Sequence, residues 1–449
     1  MTTIDVKAFV EGSRFSRFHG SMLFWACFII TFDMYDLVVY GSVLPVLLGE
    51  WGIDPLQAGT IGSVGIFGMA IGAVGFGVLA DRFGRKRMLI LAVALFSAAA
   101  FLCAFAPGPV VFAVFRFISG VGIGGILPSV IAMATDYAPR KLANTMVAVI
   151  MCFFSVGGIL AAFVAMLLLP TFGWQSVYIV AIIPLLLLPL AARSFQDSPT
   201  MHLRRGSTEK LRAVLILMNP RADIPADATL DVPAAEKETG ASIATLFRGG
   251  RALATIMVWI AFFMCLLMIN GISTWLPNLM VTAGYALGAG LTFMITYNVG
   301  AIVGTLVMGR VADAWGVKRV LVPMFVVSAV AIVLLGLGAD FWILLALTAL
   351  AGACTMGSQN ISYSFVSEYY PSAVRSTAIG LASGVGRIGA IIGPTFGGWL
   401  LTTGMPAQLT FLWFAVRGVI AAIAFAFVPL ARARTTGTAP EPHVDAVAS

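Results

Sequence analysis

The sequence predicts an all-α membrane protein with twelve transmembrane helices in two pseudo-symmetric six-helix bundles. Three observations carry this expectation. The 449 residues are 60% hydrophobic and only 10% charged, whereas a soluble domain carries about 25% charge. Long apolar runs recur twelve times, six on either side of one polar stretch. A single offset of 232 residues superposes two separate motifs of the first half on the second. A membrane β-barrel would instead show alternating strands of ~10 residues.

The first polar segment, 1–20, is expected to be a cytoplasmic N-terminus. It precedes a run long enough to span, so no cleaved leader is expected. The N-terminal bundle covers 21–195, with runs at 21–48, 58–80, 88–107, 109–136, 142–170 and 174–195. A cytoplasmic linker follows at 196–249. Within it, Thr208 to Met218 has the pattern of a short amphipathic helix at the inner surface, and 219–240 reads as a Pro/Asp/Glu-rich tether. The C-terminal bundle covers 250–431, with runs at 250–280, 288–312, 319–338, 341–367, 374–402 and 406–431. The tail 432–449 is rich in Pro, Ala and Thr and is expected to be disordered.

Orientation follows from the basic residues. With both termini cytoplasmic, every Lys and Arg outside the spans falls on the cytoplasmic side, and the outer loops carry none. The net charge of +7 therefore reports topology in a plasma (inner) membrane, not nucleic-acid binding. Five cysteines sit singly in apolar runs with no CxxC or Cys/His spacing, so neither disulfides, a metal site nor a cofactor is expected.

The repeat aligns Gly77-Val-Leu-Ala-Asp81-Arg-Phe-Gly84-Arg85-Lys86-Arg87 with Gly309-Arg-Val-Ala-Asp313-Ala-Trp-Gly316-Val-Lys318-Arg319. The same offset places Asp136-Tyr-Ala-Pro139 on Glu368-Tyr-Tyr-Pro371 and Gly157 on Gly389. Two similar halves suggest a pathway along the interface between them.

Few residues inside the spans carry chemistry. Asp33 and Asp36 stand three apart in the first run and share a helix face. Each buried acid costs roughly 2.5–3.5 kcal/mol on insertion scales, so a pair points to proton handling. Arg116 lies outward of the middle of the fourth run, at a depth that suits pairing with one aspartate. Arg387 falls near the middle of the eleventh run and needs a partner or a wet cavity. Arg417, in the last run, reads as structural. The histidines His19, His202 and His443 lie outside the membrane by this topology, which leaves the aspartates as titrating groups. The stretch Gly120-Val121-Gly122-Ile123-Gly124-Gly125 matches a dinucleotide fingerprint in letters only. It lies inside an apolar run with no βαβ context, where glycines serve close helix packing.

The run Gly77 to Arg87 resembles the signature between the second and third helices of the major facilitator superfamily, and the resemblance extends over about residues 15–432. It implies that the first, fourth, seventh and tenth helices line a central cavity open alternately to each side. Phe32-Asp33-Met34-Tyr35-Asp36-Leu37-Val38-Val39-Tyr40-Gly41 resembles the first-helix signature of the aromatic acid:proton symporters, with Met34 where a glycine is usual. Phe15-Ser-Arg17-Phe18-His19 and Tyr35-Asp36-Leu37 look most like the benzoate members. Gly389-Ala-Ile-Ile-Gly393-Pro394-Thr-Phe-Gly397-Gly398 is similar to an antiporter signature, but it occurs in the eleventh run and not the fifth.

The resemblance implies roles. Asp33 and Asp36 couple protons. Arg116 and Arg387 bind a carboxylate, with Tyr40, Asn270, Gln359, Asn360 and Tyr363 as further cavity candidates. Trp275 is a further cavity candidate on a lining helix. By their position at helix ends and basic loops of the inner face, Asp81, Arg85, Arg87, Asp136, Asp313 and Glu368 are the gating candidates, with plain helix-end solvation as the alternative for Asp136 and Glu368. The expected function is proton-coupled import of a monocyclic aromatic carboxylate, benzoate or a hydroxybenzoate, by a monomer. The alternatives are a proton-driven exporter of hydrophobic compounds, a symporter of a dicarboxylate such as muconate, and a membrane-bound sensor. No nucleophile–base constellation suggests an enzyme.

Overall fold

The computed structural model describes residues 3–219, 224–225, 228–231, 243–247 and 250–429. The tail 432–449, with His443, and most of 219–240 lie outside the described residues. The first half contains α1 (Arg17–Trp51), α2 (Pro55–Phe83), α3 (Arg85–Cys103) and α4 (Pro109–Gly124 and Ile126–Asp136, with Gly125 between). It closes with α5 (143–172) and α6 (174–194). The second half contains α7 (Ala252–Thr282), α8 (Leu287–Trp315), α9 (Val317–Leu337), α10 (Phe341–Tyr369), α11 (Ser372–Thr402) and α12 (Ala407–Phe427).

By length and apolarity alone, eleven stretches qualify as spans, and one of them, Ala143–Ser194, has 52 residues. At 1.5 Å per residue it would be roughly 78 Å long, more than twice a hydrocarbon core of ~30 Å. Gly173, at φ 74° and ψ 175°, breaks it. The two pieces are α5 and α6, so the described chain crosses twelve times.

Local chemistry sets the helix ends. The Asp54 carboxylate accepts from the Gln57 N–H at 2.7 Å and Pro55 opens α2, a capping box. Pro109 opens α4. Gly84 and Gly316, 232 residues apart, hold equivalent turns at φ 93° and 91°, a region that residues with a Cβ avoid. The repeat is therefore reproduced in backbone conformation.

The all-helical expectation needs one amendment. In the segment expected to be a cytoplasmic N-terminus, β1 (Thr3–Asp5) pairs in parallel with β2 (Thr229–Asp231) of the linker. A helix, Val6–Glu11, follows it. The linker also folds into helices Pro199–Arg204 and Thr208–Met218. The buried apolar face of Thr208–Met218, formed by Leu211, Val214, Leu215 and Met218, seats it on the first half.

One end of the bundle carries the N-terminus, the linker and the basic loops. We call it the basic face. The halves meet at the opposite face. The Thr395 hydroxyl donates to the Ser63 hydroxyl at 2.7 Å. A Cβ on Gly59 would lie 2.4 Å from the Pro394 carbonyl oxygen, and one on Gly398 2.1 Å from that of Pro55. Only glycine lets α2 and α11 approach this closely. Toward the basic face the same helices splay, and Cβ atoms on Gly75, Gly77, Gly380 and Gly384 would meet open space. The molecule is closed at the opposite face.

Candidate functional site

A cavity of about 250 Å³ lies between the halves. The first half contributes a mostly apolar wall, including Met34, Leu37, Val38, Ile66, Met69 and Phe154. The second half contributes polar groups: Asn270, Ser273, Gln359, Asn360, Tyr363 and Arg387. Arg116 and Tyr40 also reach the cavity.

The two aspartates have different surroundings. Asp36 is buried, and its Oδ2 accepts from Arg116 Nη1 at 2.9 Å and from the Ser119 hydroxyl at 2.9 Å. The same Arg116 nitrogen donates to the Asp36 carbonyl at 2.7 Å. The guanidinium also stands 5.4 Å from the centroid of the Tyr40 ring. The expected pairing of Arg116 with an aspartate is thus formed, with Asp36 as the partner. Asp33 is equally buried, yet neither carboxylate oxygen has a hydrogen-bond partner. Asp36 and Arg387 are the charges within electrostatic reach of it.

Arg387 presents a buried Nη1 without a partner and belongs to no ion pair among the described residues. Both amide atoms of Gln359 are likewise buried and unpartnered. The other candidates are already engaged. The Tyr40 hydroxyl donates to the Ala58 carbonyl at 2.5 Å, so its ring is what faces the cavity. Asn270 Nδ2 donates to the Leu266 carbonyl at 2.9 Å, Asn360 Nδ2 to the Thr305 hydroxyl at 3.1 Å, and Tyr363 to the Ser383 hydroxyl at 3.3 Å. Trp275 lies away from this wall. Its indole N–H donates to the Pro394 carbonyl at 2.8 Å and ties α7 to α11. Arg417 does not line the cavity either. It donates to the Trp413 carbonyl and lies 3.9 Å from the Phe396 ring centroid, a cation–π contact.

At the basic face, Arg85 and Asp136 form an ion pair of 2.7 Å. Asp81, Arg87, Asp313 and Glu368 are exposed and are not joined to that pair. Asp197, read only as linker, belongs there instead. Its carboxylate accepts from the Lys86 N–H at 3.1 Å and from Arg205 Nη1 at 2.8 Å. Arg205 also reaches the Phe83 carbonyl at 2.5 Å. The Tyr137 hydroxyl donates to the Asp197 carbonyl at 2.5 Å, and burial raises that phenol's pKa far above its usual 10. The signal for this role was the Asp197-Ser198-Pro199 run, in which Ser198 caps the helix Pro199–Arg204.

His19, expected outside the membrane, lies at the basic-face end of α1. It is fully buried in the first turn of α1. Nδ1 accepts from the Ser16 N–H at 3.1 Å, so Nε2 carries the proton and donates to the Tyr137 carbonyl at 3.0 Å. Its role is a cap and a tie to α4.

Comparison with known proteins assigns the fold to a family. The model of the Major Facilitator Superfamily matches residues 26–303 and 286–448. The chain belongs to the major facilitator superfamily. It is 36% identical to the benzoate transport protein of Acinetobacter baylyi, over 93% of this chain and 91% of the relative. It is also 36% identical to the gentisate transporter of Corynebacterium glutamicum, over 94% and 90%. Identity to the 4-hydroxybenzoate transporter PcaK of Pseudomonas putida is 29%, over 93% and 96%. Among solved structures, a D-xylose-proton symporter superposes with TM-score 0.72 at 19% identity, covering 92% of this chain and 99% of that one. The inward open xylose transporter XylE from E. coli gives 0.71 at 17% identity, covering 91% and 96%. This member of the superfamily is a multi-pass membrane transporter and not an enzyme.

Proposed function

We propose that this transporter imports a monocyclic aromatic carboxylate, benzoate or a hydroxybenzoate, together with protons. The observation that carries the reading is the unpartnered Nη1 of Arg387 in a cavity whose facing wall is apolar. A guanidinium suits a carboxylate, and flat apolar surface suits the ring. The names of the relatives point the same way. One free guanidinium matches one carboxylate, which favours a monoacid over a dicarboxylate. A single chain encloses the cavity, in keeping with a monomer.

Sidedness rests on the basic loops. The Lys/Arg bias of those loops favours a cytoplasmic location for the termini and linker; with that orientation in the inner membrane, the open basic face makes this an inward-facing state.

Asp33 is the transported-proton site in this reading, and Asp36 is held by Arg116. Ionised Asp33 on α1 attracts Arg387 on α11 across the two halves and competes with substrate. Protonation from outside releases the guanidinium for the carboxylate. The neutralised, loaded cavity closes and opens inward. Loss of the proton and substrate to the cytoplasm returns Arg387 to Asp33. Asp81, Arg85, Arg87, Asp136, Asp313 and Glu368 bias the closure of the cytoplasmic face, with Asp197 beside them.

Uptake of radiolabelled benzoate and 4-hydroxybenzoate in whole cells, with and without an uncoupler, tests the reading. Accumulation abolished by the uncoupler supports it. Accumulation indifferent to the proton gradient, or export from everted vesicles, would overturn it.

A further inference from the structure

A second groove, of about 550 Å³, opens at the basic face where α1 begins and α6 ends. It is remote from the substrate cavity and shares no lining residue with it. Arg17 and Arg193 stand on its two banks, both exposed. Neither guanidinium has a hydrogen-bond or ion-pair partner among the described residues. Beneath them the Ser21 and Ser194 hydroxyls are 2.8 Å apart and stitch the two helices together.

The helix faces that carry these groups continue into the apolar layer. On α1, Arg17, Ser21 and Phe24 follow one another at helical spacing, and Phe24 is 62% exposed. On α6, Arg193, Leu190 and Leu186 do the same in reverse, with the two leucines 48% and 68% exposed. The linker helix Thr208–Met218 flanks the groove with Leu217, 61% exposed. Along the membrane normal the order is two cations, a hydroxyl collar, then exposed apolar side chains. This is the order of charge and polarity along an anionic phospholipid.

We propose that the groove binds one anionic phospholipid from the basic-face leaflet. Its phosphate lies between Arg17 and Arg193, and its acyl chains run over Phe24, Leu190 and Leu186. Guanidinium forks match phosphate oxygens bidentately. A free phosphate would satisfy the arginines but leave the apolar floor uncovered, so the lipid accounts for both halves of the site. Bound there, it couples α1 to α6 and braces the linker helix against the first half.

The test uses the full chain, purified in detergent and delipidated, with native mass spectrometry as the readout. The probes are phosphatidylglycerol, phosphatidylcholine and inorganic phosphate. One phosphatidylglycerol should be retained in preference to phosphatidylcholine, and millimolar phosphate should not displace it. Two surface cations are each worth roughly tenfold or less near an anionic headgroup, so R17Q/R193Q should weaken retention by about 30-fold. R310Q/R319Q, which removes two charges from the same face of the other half, should retain the lipid. R17K/R193K keeps the charge and should still prefer phosphatidylglycerol, and it serves if the glutamine variant does not fold. Equal retention of phosphatidylcholine, displacement by phosphate, or an equal loss in R310Q/R319Q would each overturn the proposal.

Discussion

Arg116 and Asp36 form a buried ion pair at 2.9 Å, both nearly inaccessible, within the first half of the molecule. The Ser119 hydroxyl completes the same carboxylate oxygen. Removing one member strands the other charge in an apolar bundle, which costs about 3–5 kcal/mol. Asp36→Asn and Arg116→Gln are therefore each expected to lower the unfolding temperature markedly. The double variant should recover part of the loss, because no lone charge remains. Thermal unfolding of the four proteins in detergent, read as a cycle, measures this. Strict additivity would show that the pair is not coupled.

Asp33 presents the opposite case. It has no hydrogen bond to lose, so Asp33→Asn should cost less stability than Asp36→Asn, which breaks an ion pair. In the proposed cycle it removes the proton site while sparing the carboxylate site. Proteoliposomes carrying the variant should still exchange labelled for unlabelled benzoate across the membrane. They should fail to concentrate it against a gradient when a pH difference is imposed. Normal uphill accumulation would exclude Asp33 as the coupling group.

For Arg387 the expected effect is on affinity. A hydrogen bond to a charged group contributes about 1.5–3 kcal/mol, or roughly 10- to 150-fold in Kd. Arg387→Gln should raise the Kd for benzoate by that factor. Arg387→Lys should recover only part of it, since an ammonium keeps the charge without the planar fork. Calorimetric titration of the purified variants decides the point. Unaltered binding in Arg387→Gln would move the carboxylate site elsewhere.

The halves were legible because membrane insertion imposes long apolar runs and the repeat preserves backbone geometry as well as letters. One offset carries the contact of Gly157 with the Thr31 carbonyl onto that of Gly389 with the Phe263 carbonyl. It also carries the Gly84 turn onto Gly316. Buried charges were legible because each is costly in lipid, so Asp33, Asp36, Arg116 and Arg387 stood out. Which acid pairs with which arginine was not, since pairing depends on helix rotation, and nothing in the spacing of Asp33 and Asp36 distinguishes the two. Ser119 was hidden in a glycine-rich run whose other members only pack. Asp197 and His19 were hidden by position: both lie at polar borders, where solvation is the default reading, yet the fold buries them. The strand pair Thr3–Asp5 with Thr229–Asp231 joins segments too short to show periodicity.

His202, in the linker helix Pro199–Arg204, supplies a pH dependence outside the spans. Burial lowers its pKa from 6.5, Asp197 opposes that shift, and Arg205, Lys210 and Lys86 add to it. Its folded-state pKa is therefore below the unfolded one. The stability held by the neutral ring is complete above about pH 6.5 and declines as pH falls from there through the folded value. The unfolding temperature of the wild type should drop between about pH 6.5 and pH 5 more steeply than that of His202→Gln. Parallel curves would show that the ring does not titrate differently on folding.

Access to the cavity is expected to switch when the contact between α2 and α11 is obstructed. A side chain at Gly59 meets the Pro394 carbonyl, where even a Cβ would stand at 2.4 Å. Gly59→Leu should hold the halves apart at the opposite face and favour a molecule open there. Cys152 lines the cavity and is partly accessible, while the other four cysteines are buried in the helices. It can therefore report access without an added label site. In the wild type a membrane-impermeant maleimide should modify Cys152 faster from the basic face than from the opposite face. Gly59→Leu should reverse that preference and abolish transport, and Cys152→Ser should remove the signal in both. If labelling of Gly59→Leu kept the wild-type sidedness, the α2–α11 contact would not be the closure of the opposite face.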